Sequence, residues 1–389
     1  MDKKILLCVS GGIAAYKAVD LASGLTKRGY RVRTVLTQSA QRFVSKLNFA
    51  AITGESAHDS LWEEADPIPH ITLADWADIV IVAPATANIL AKAAHGIADD
   101  LLSSIFLAHK RPILFVPTMN MHMYANPATQ DNLKILRQRG SHILEPAVGR
   151  LACGYEGKGK YPPNEEVLWA IRCYLERGED LCGKKILVTA GATAEPLDPM
   201  RLITNRSSGK MGLAIARALH LRGADVTLVH GMMDEAPPYY LEKTVFAPTV
   251  IKMARAVLED SAGFDVIIKC AAVSDFAPAR ASSQKIKKGG KLSLELVPTT
   301  DILAELGKAK PKKQILIGFA AETENLIENA TAKLKRKNLD MICVNHLSTA
   351  GSDDTELTLI RAKKNAKSLC LKGDKFSVAL KLTDEILKL

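Results

Sequence analysis

Short, largely apolar runs at 4–9, 31–36, 78–83 and 112–116 alternate with amphipathic patterns at 14–28, 87–94 and 127–139. A run that is apolar at every position marks a strand covered on both faces, as in a parallel sheet. Strands that alternate with helices need right-handed crossovers, and these wind a sheet with helices on both sides. The pattern restarts half-way along the chain. KKILVTAGAT at 184–193 has the character of KKILLCVSGG at 3–12, and apolar runs follow at 225–230, 264–270, 315–319 and 340–344. Every α/β sheet opens on such a strand, so the restart indicates a second domain rather than an internal duplication. The polar stretch ERGEDLCGK at 176–184 reads as the linker. The expectation is α/β throughout: two doubly wound, Rossmann-like domains, 1–180 and 184–389.

With 389 residues, 47% of them hydrophobic and 24% charged, the chain can build full cores. No apolar run reaches the roughly 18 residues that a membrane-spanning helix needs. The opening MDKKILLCVSGG lacks the long apolar region and small-residue cleavage site of a signal peptide, and reads as the first strand. Seven scattered cysteines without a CxxC suggest neither a disulfide framework nor a zinc ribbon, and point to the reducing cytoplasm. The net charge of +10 is uneven: 20 basic residues face 19 acidic ones over 1–183, and 32 face 23 over 184–389. The second half therefore meets a polyanion, either nucleic acid or a nucleoside triphosphate.

In open α/β sheets ligands sit beyond the carboxyl ends of the strands. The first strand ends in Ser10-Gly11-Gly12-Ile13. Such a turn either admits an anion to the following helix or only makes a tight bend. The second strand ends in Thr37-Gln38-Ser39, without the carboxylate that would hold a dinucleotide's ribose, and no GxGxxG occurs. Nicotinamide dinucleotides are disfavoured, and FMN suits these hydroxyl and amide donors better. Small and amide-bearing residues also follow the next two strands, at Thr86-Ala87-Asn88 and Thr118-Met119-Asn120. Asn120 can bind a carboxylate or hold a reactive group. His70 precedes the third strand, and Cys153 lies among Gly149, Gly154, Gly157 and Gly159 in what reads as a mobile flap.

In the second half, Ser207–Gly212 can open a phosphate-binding helix, approached through Arg201 and Asn205. It is not a Walker A loop, because that spacing is absent. The strand ending Lys269-Cys270-Ala271 leads to Asp275. The lysine run from Lys285 to Lys291 is either a solvated loop or a cradle for a triphosphate and its departing pyrophosphate. The basic stretch Lys333–Lys337 carries the same two readings. Aromatic residues are only 5% of the chain and do not interleave with these lysines, which argues against single-stranded nucleic acid.

The segments SGGIAAYK, PHITLADWAD, APATAN, PTMNMHMY and LACG, in that order, resemble flavin-dependent 4′-phosphopantothenoylcysteine decarboxylases over nearly all of 3–175. TAGATAEPLDPMRLITNRSSGKMG, CAAVSDF, KIKK and GFAAET resemble the 4′-phosphopantothenate–cysteine ligase domain over 185 to about 345. Together they are similar to the bacterial bifunctional enzymes of coenzyme A biosynthesis. The resemblance implies His70 as base, Asn120 as carboxylate binder and Cys153 as proton donor. Gly11, Gly12, Ile13, Thr37, Ser39, Thr86, Ala87, Asn88 and Thr118 would line FMN.

For the ligase, the resemblance implies that Asn205 holds an acyl-cytidylate, with Arg201 as a nearby anion partner and Lys285 acting in catalysis. Lys269, Cys270, Ala271 and Asp275 would contact CTP, as would Thr300, Asp301, Ile302, Leu303, Phe319, Lys333 and Lys337. Mg2+ would accompany the triphosphate. The implied partners are 4′-phosphopantothenate, L-cysteine and CTP, with no nucleic acid or membrane. A homo-oligomer is also implied, with trimer-based flavin domains, FMN between subunits and dimeric ligase domains. Thr118 replaces a usual alanine and Ala194 a usual arginine; Lys269 and Thr299–Asp301 also depart from the family pattern. Two other readings are a decarboxylase of peptide cysteines joined to an unrelated basic domain, and a flavin-binding regulatory module.

Overall fold

A computed structural model of the chain describes residues 3–62, 66–289, 292–322, 326–346, 351–362 and 368–389, and every count below refers to these. The chain divides into two units, Met1–Glu176 and Arg177–Leu389.

The first unit runs β1 (Lys4–Val9), α1 (Ala15–Lys27), β2 (Arg31–Leu36), α2 (Lys46–Thr53), β3 (Ala57–His58), α3 (Pro69–Trp76), β4 (Ile79–Ala85) and α4 (Ala87–His95). It continues with α5 (Leu101–Ala108), β5 (Ile113–Pro117), α6 (Met121–Ala125), α7 (Pro127–Gln138), β6 (His142–Ile143), β7 (Ala147–Arg150), β8 (Glu156–Lys160) and α8 (Asn164–Glu176). Six strands form one parallel sheet in the order β3-β2-β1-β4-β5-β6. β4 is buried at every position, as its unbroken apolar run requires. The chain leaves β1 in both directions across the sheet, so a crevice opens beyond the carboxyl ends of β1 and β4.

The strands expected at 78–83 and 112–116 extend to Ala85 and Pro117, so Pro84, Ala85 and Pro117 belong to the sheet. His70, expected before a strand, lies in the first turn of α3, which Pro69 opens at a position where a missing N–H costs nothing.

The second unit runs β9 (Lys185–Ala190), β10 (Ala194–Pro196), β11 (Leu202–Thr204), α9 (Lys210–Leu221), β12 (Asp225–His230), β13 (Lys243–Phe246), α10 (Val250–Leu258) and β14 (Val266–Lys269). Then come β15 (Phe276–Pro278), β16 (Leu296–Pro298), α11 (Ile302–Ala309), β17 (Ile315–Glu322), α12 (Leu326–Arg336), β18 (Met341–His346), β19 (Asp354–Arg361), β20 (Leu369–Asp374) and α13 (Lys375–Ile386). The eight-stranded sheet has the order β13-β12-β9-β14-β17-β18-β19-β20. It is parallel through β18, and β19 and β20 add an antiparallel edge.

The first unit ends at Glu176 rather than at 180, because the segment expected to be a linker is folded onto the second unit. Arg177 pairs with Asp384 of α13 at 2.8 Å, and Asp180 binds Arg222 at 2.6 Å. The Arg222 guanidinium is almost wholly buried, and it also donates to Thr383 Oγ1 (2.7 Å) and Asp384 Oδ1 (2.8 Å). A buried charge persists only when its donors are matched in this way.

Candidate functional site

Two cavities meet in the crevice of the first unit. One, of about 730 Å³, is bordered by Gly12, Ile13, Thr118, Asn120 and Cys153. The other, of about 840 Å³, is bordered by Gly11, Thr37, Ser39 and Asn88. Thr86 and Ala87 border both. All nine residues expected to line a flavin therefore lie at this crevice.

The loop after β1 is held by short contacts. A Cβ on Gly11 would stand 2.3 Å from that of Ser39, so only glycine lets the two turns touch. The buried Ser10 hydroxyl donates to Pro84 O (2.7 Å) and accepts from Thr86 N–H (3.0 Å), tying the end of β1 to the end of β4. α1 starts without a side-chain cap; its first turn is closed by backbone bonds from Ala15 N–H to Gly12 O (2.9 Å) and Lys17 N–H to Ala14 O (3.0 Å), so no side chain blocks the approach to it. The Thr118 hydroxyl, the departure from the family pattern, is occupied by its own backbone through Val116 O at 3.3 Å.

Asn120 caps α6: its Oδ1 accepts from His122 N–H at 2.8 Å. Its Nδ2 donates to Cys153 Sγ at 3.2 Å. The backbone N–H of Tyr155 and the Asn120 amide hold the Cys153 thiol below its ordinary pKa. Cys153 sits between β7 and β8, and this hairpin is not loose along its length. Met119 N–H donates to Gly159 O at 3.0 Å, and a Cβ on Gly159 (φ +148°) would stand 2.3 Å from Met119 O. Glu145 accepts from the Tyr124 hydroxyl (2.6 Å) and pairs with Lys158 (2.7 Å) and Arg137. Burial pushes the Glu145 carboxyl up, but these partners outweigh it and keep it below the usual range. These contacts fasten both strands of the segment expected to be a mobile flap, and Cys153 lies in the turn 151–155 at their tip.

The residues missed at the first cavity include Lys17, Arg150, Lys160 and Tyr161. Lys17 Nζ lies 5.1 Å from the centre of the Tyr161 ring, and burial, then the Lys160 charge, push its amine down. The available signal was weak. Lys17 is the last residue of SGGIAAYK, in the first turn of α1, and Lys160 alternates with glycines in β8. His70 borders neither cavity, and its Nδ1 is buried without a partner among the described residues.

In the second unit, Cys270, Ala271 and Phe319 border a small cavity at the start of α9, together with Ser207, Ser208 and Lys210. Gly212 lies so close to β9 that a Cβ would stand 2.6 Å from that of Ala190. Asn205 borders an adjacent cavity of about 820 Å³, with its Nδ2 on Ala272 O at 3.3 Å. A second group gathers at α11, where Lys337 pairs with the helix-capping Asp301 at 2.8 Å and Lys333 donates to Phe319 O at 3.5 Å. Lys269 is buried beside them, 4.0 Å from Met253 Sδ, and burial, with Lys333 and Lys337 adding to it, pushes its amine down to about 7. The side chains of Ile302 and Leu303 are in the core, so only their backbone faces a ligand, while Thr300 is exposed beside them.

Arg201, Asp275 and Lys285 border none of these cavities. The exposed Asp275 uses its carbonyl to accept from Thr299 N–H (2.9 Å). Arg201 is engaged: it donates to the buried Asp198 (2.6 Å) and to Ile286 O (3.0 Å), while Asp198 accepts from Ile286 N–H (3.1 Å). It anchors the lysine run next to Lys285. Among the described residues no cluster of three or more His, Cys, Asp or Glu could hold a metal ion. No helix there is long and apolar enough to cross a membrane.

Residues 1–175 match the family model described as flavoprotein, and 181–389 match that of the DNA/pantothenate metabolism flavoprotein C-terminal domain. The coenzyme A biosynthesis bifunctional protein CoaBC of Bacillus subtilis is 42% identical over 99% of this chain and 97% of its own length. The chain belongs to the bifunctional coenzyme A biosynthesis family. The CoaBC proteins of Mycobacterium tuberculosis (41% identical over 99% of this chain and 96% of theirs) and Vibrio cholerae (43% over 92% and 91%) agree. As a member of this family the protein is a bifunctional enzyme. Its first unit is a flavoprotein-type decarboxylase domain and its second a ligase domain.

Proposed function

We propose that the second unit couples L-cysteine to 4′-phosphopantothenate at the expense of CTP, and that the first unit decarboxylates the product to 4′-phosphopantetheine with FMN. The observation that carries this reading is the Asn120–Cys153 contact at 3.2 Å, at the mouth of a crevice bordered by all nine expected flavin residues. The crevice fits FMN by its own features: the uncapped start of α1 for the phosphate, the hydroxyls of Thr37 and Ser39 for the ribityl chain, and the Gly11 approach that keeps the turn free of side chain.

In the ligase half, a carboxylate oxygen of phosphopantothenate bonds to the α-phosphorus of CTP as pyrophosphate leaves. The cysteine amine then bonds to the acyl carbon and CMP leaves. Magnesium enters with CTP as part of the substrate. The start of α9 receives the phosphates, and the Lys269, Lys333 and Lys337 group neutralises them. Asn205 holds the acyl-cytidylate between its cavity and that helix. Lys285 acts on a loop that Asp198 and Arg201 anchor.

A simple carboxylate resists loss of carbon dioxide because the carbanion left behind has nowhere to delocalise. Held by the Gly11–Ile13, Thr37–Ser39 and Thr86–Asn88 segments, FMN would supply a two-electron acceptor and donor for the cysteinyl thiol, so no outside oxidant would be needed. Asn120 orients the substrate carboxylate at the C–C bond that breaks. Cys153, an acid made stronger by its two donors, delivers the proton that completes reduction of the enethiol. His70, the base of this reading, borders neither cavity, and it would reach the thiol of a second copy in a trimer-based assembly whose ligase units dimerise. Residence in the cytoplasm, where the thiols stay reduced, belongs to the same proposal.

Lys17 and Lys160 give the substrate's phosphate a cationic seat in the first cavity. Exchanging both for methionine raises the KM for 4′-phosphopantothenoylcysteine about tenfold or more and erases its advantage over the unphosphorylated compound. Steady-state kinetics on both compounds checks this; an unchanged preference places the phosphate elsewhere. The ligase reading is tested by pyrophosphate release, which requires CTP, cysteine and 4′-phosphopantothenate together for turnover to product. Release with ATP alone, or indifference to cysteine, overturns it.

A further inference from the structure

The tip between β7 and β8 is a small closed turn. Leu151 N–H donates to Tyr155 O at 2.8 Å and Gly154 N–H to Leu151 O at 2.9 Å, with Gly154 in the left-handed region at φ +88°. Cys153 therefore moves with Tyr155. Outside the turn, the Tyr155 ring meets His122 edge-to-face, with centroids 5.7 Å apart and planes at 82°. The backbone of His122 in turn fixes Asn120, whose amide reaches Cys153. Four contacts thus close a ring: Asn120 to Cys153, Cys153 to Tyr155, Tyr155 to His122, and His122 back to Asn120.

We propose that the His122–Tyr155 contact is the latch that holds the tip, and with it the Cys153 thiol, against Asn120. The hairpin below the tip is bolted down by Gly159 on Met119 and by the Glu145 group. Between the tip and capped α6, the ring contact and the Asn120–Cys153 bond are the contacts to be broken. Both ring residues are exposed, and an edge-to-face pair in water is weak, so the tip can release to admit substrate and close again behind it. His122 and Tyr155 are positioning residues: they act on the reaction through where they hold Cys153. The proposal rests on the reading of Cys153 as the proton donor.

The test measures iodoacetamide alkylation at Cys153 as a function of pH, quantified on its own peptide in the full-length, flavin-loaded protein. Lys17, Arg150 and Lys160, which share the cavity with the thiol, are the same in every variant. The midpoint moves up by about one pH unit in Tyr155→Ala and in His122→Ala, because the thiolate loses the Asn120 amide while the Tyr155 N–H travels with the turn. In Tyr155→Phe, which keeps the ring edge, it stays at the wild-type value. In turnover, the two alanine variants raise the ratio of oxidised to reduced product about fivefold or more, and Tyr155→Phe does not. An unchanged midpoint in both alanine variants overturns the latch. Wild-type protein that never decarboxylates overturns the reading of the site instead, and the alkylation profiles still decide the latch.

Discussion

Cys153→Ser leaves carbon dioxide release in place while the reduced product falls by about 10²–10⁴-fold, the cost of losing a positioned general acid. The effect is selective because of where the thiol stands. It is exposed at the tip of a hairpin, on the side of the cavity where Asn120 reaches it, and it has no part in holding the crevice together. A serine hydroxyl fits between the same two donors, Asn120 Nδ2 and the Tyr155 N–H, so geometry and fold survive. Its acidity does not, since a hydroxyl holds its proton far more tightly than a thiol that those donors have already brought below its ordinary pKa. Mass spectrometry of the quenched reaction reads the outcome as a decarboxylated product lighter by one pair of hydrogens. Normal amounts of 4′-phosphopantetheine from this variant would assign the proton to another group.

Asn205→Ala depresses cysteine coupling by about 10²–10³-fold, the loss seen when one preorganised donor is taken from a developing charge. Asn205 follows β11 and borders the larger ligase cavity, one residue from the Arg206–Lys210 stretch that starts α9. Among the described residues its amide is held only by Ala272 O at 3.3 Å, a bond it can exchange for a ligand at little cost. The variant keeps full decarboxylase activity when supplied with ready-made 4′-phosphopantothenoylcysteine, which separates a ligase defect from misfolding. Unimpaired coupling would remove Asn205 from the mechanism.

The parts legible in the sequence are those where local pattern and tertiary burial agree. β1, β2 and β12 begin and end where expected: β1 is buried after Lys4, and β2 and β12 bury their apolar residues while their opening Arg31 and Asp225 stay exposed. The flavin-lining residues were legible for a related reason. A strand's carboxyl end is fixed by the end of its apolar run, and a doubly wound sheet puts its ligand there. α5 was missed because LLSSIFLA is apolar nearly all round and so shows no helical period. The β19–β20 edge was not legible because β19 buries Thr355, Leu357 and Leu359 on alternate positions with charged and hydroxyl residues between them, unlike the apolar run of a strand covered on both faces. The linker misread has an electrostatic cause. ERGEDLCGK is polar enough to be solvated, and only the buried Arg222, far along the chain, gives its Asp180 a place in the fold.

For individual side chains, sequence could say which residues have suitable chemistry but not which are already engaged. Arg201 is a cation near the ligase site, yet its guanidinium is taken up by Asp198 and Ile286 O. Lys17, by contrast, was passed over and faces the decarboxylase cavity.

The most direct measurement supplies the full-length protein, loaded with FMN, with 4′-phosphopantothenoylcysteine alone, and follows carbon dioxide and product mass together. The account predicts one carbon dioxide and one 4′-phosphopantetheine per substrate consumed, without CTP and without any added oxidant or reductant. Substrate that remains intact in the flavin-loaded, folded protein, or product that appears only with an external electron acceptor, would contradict it.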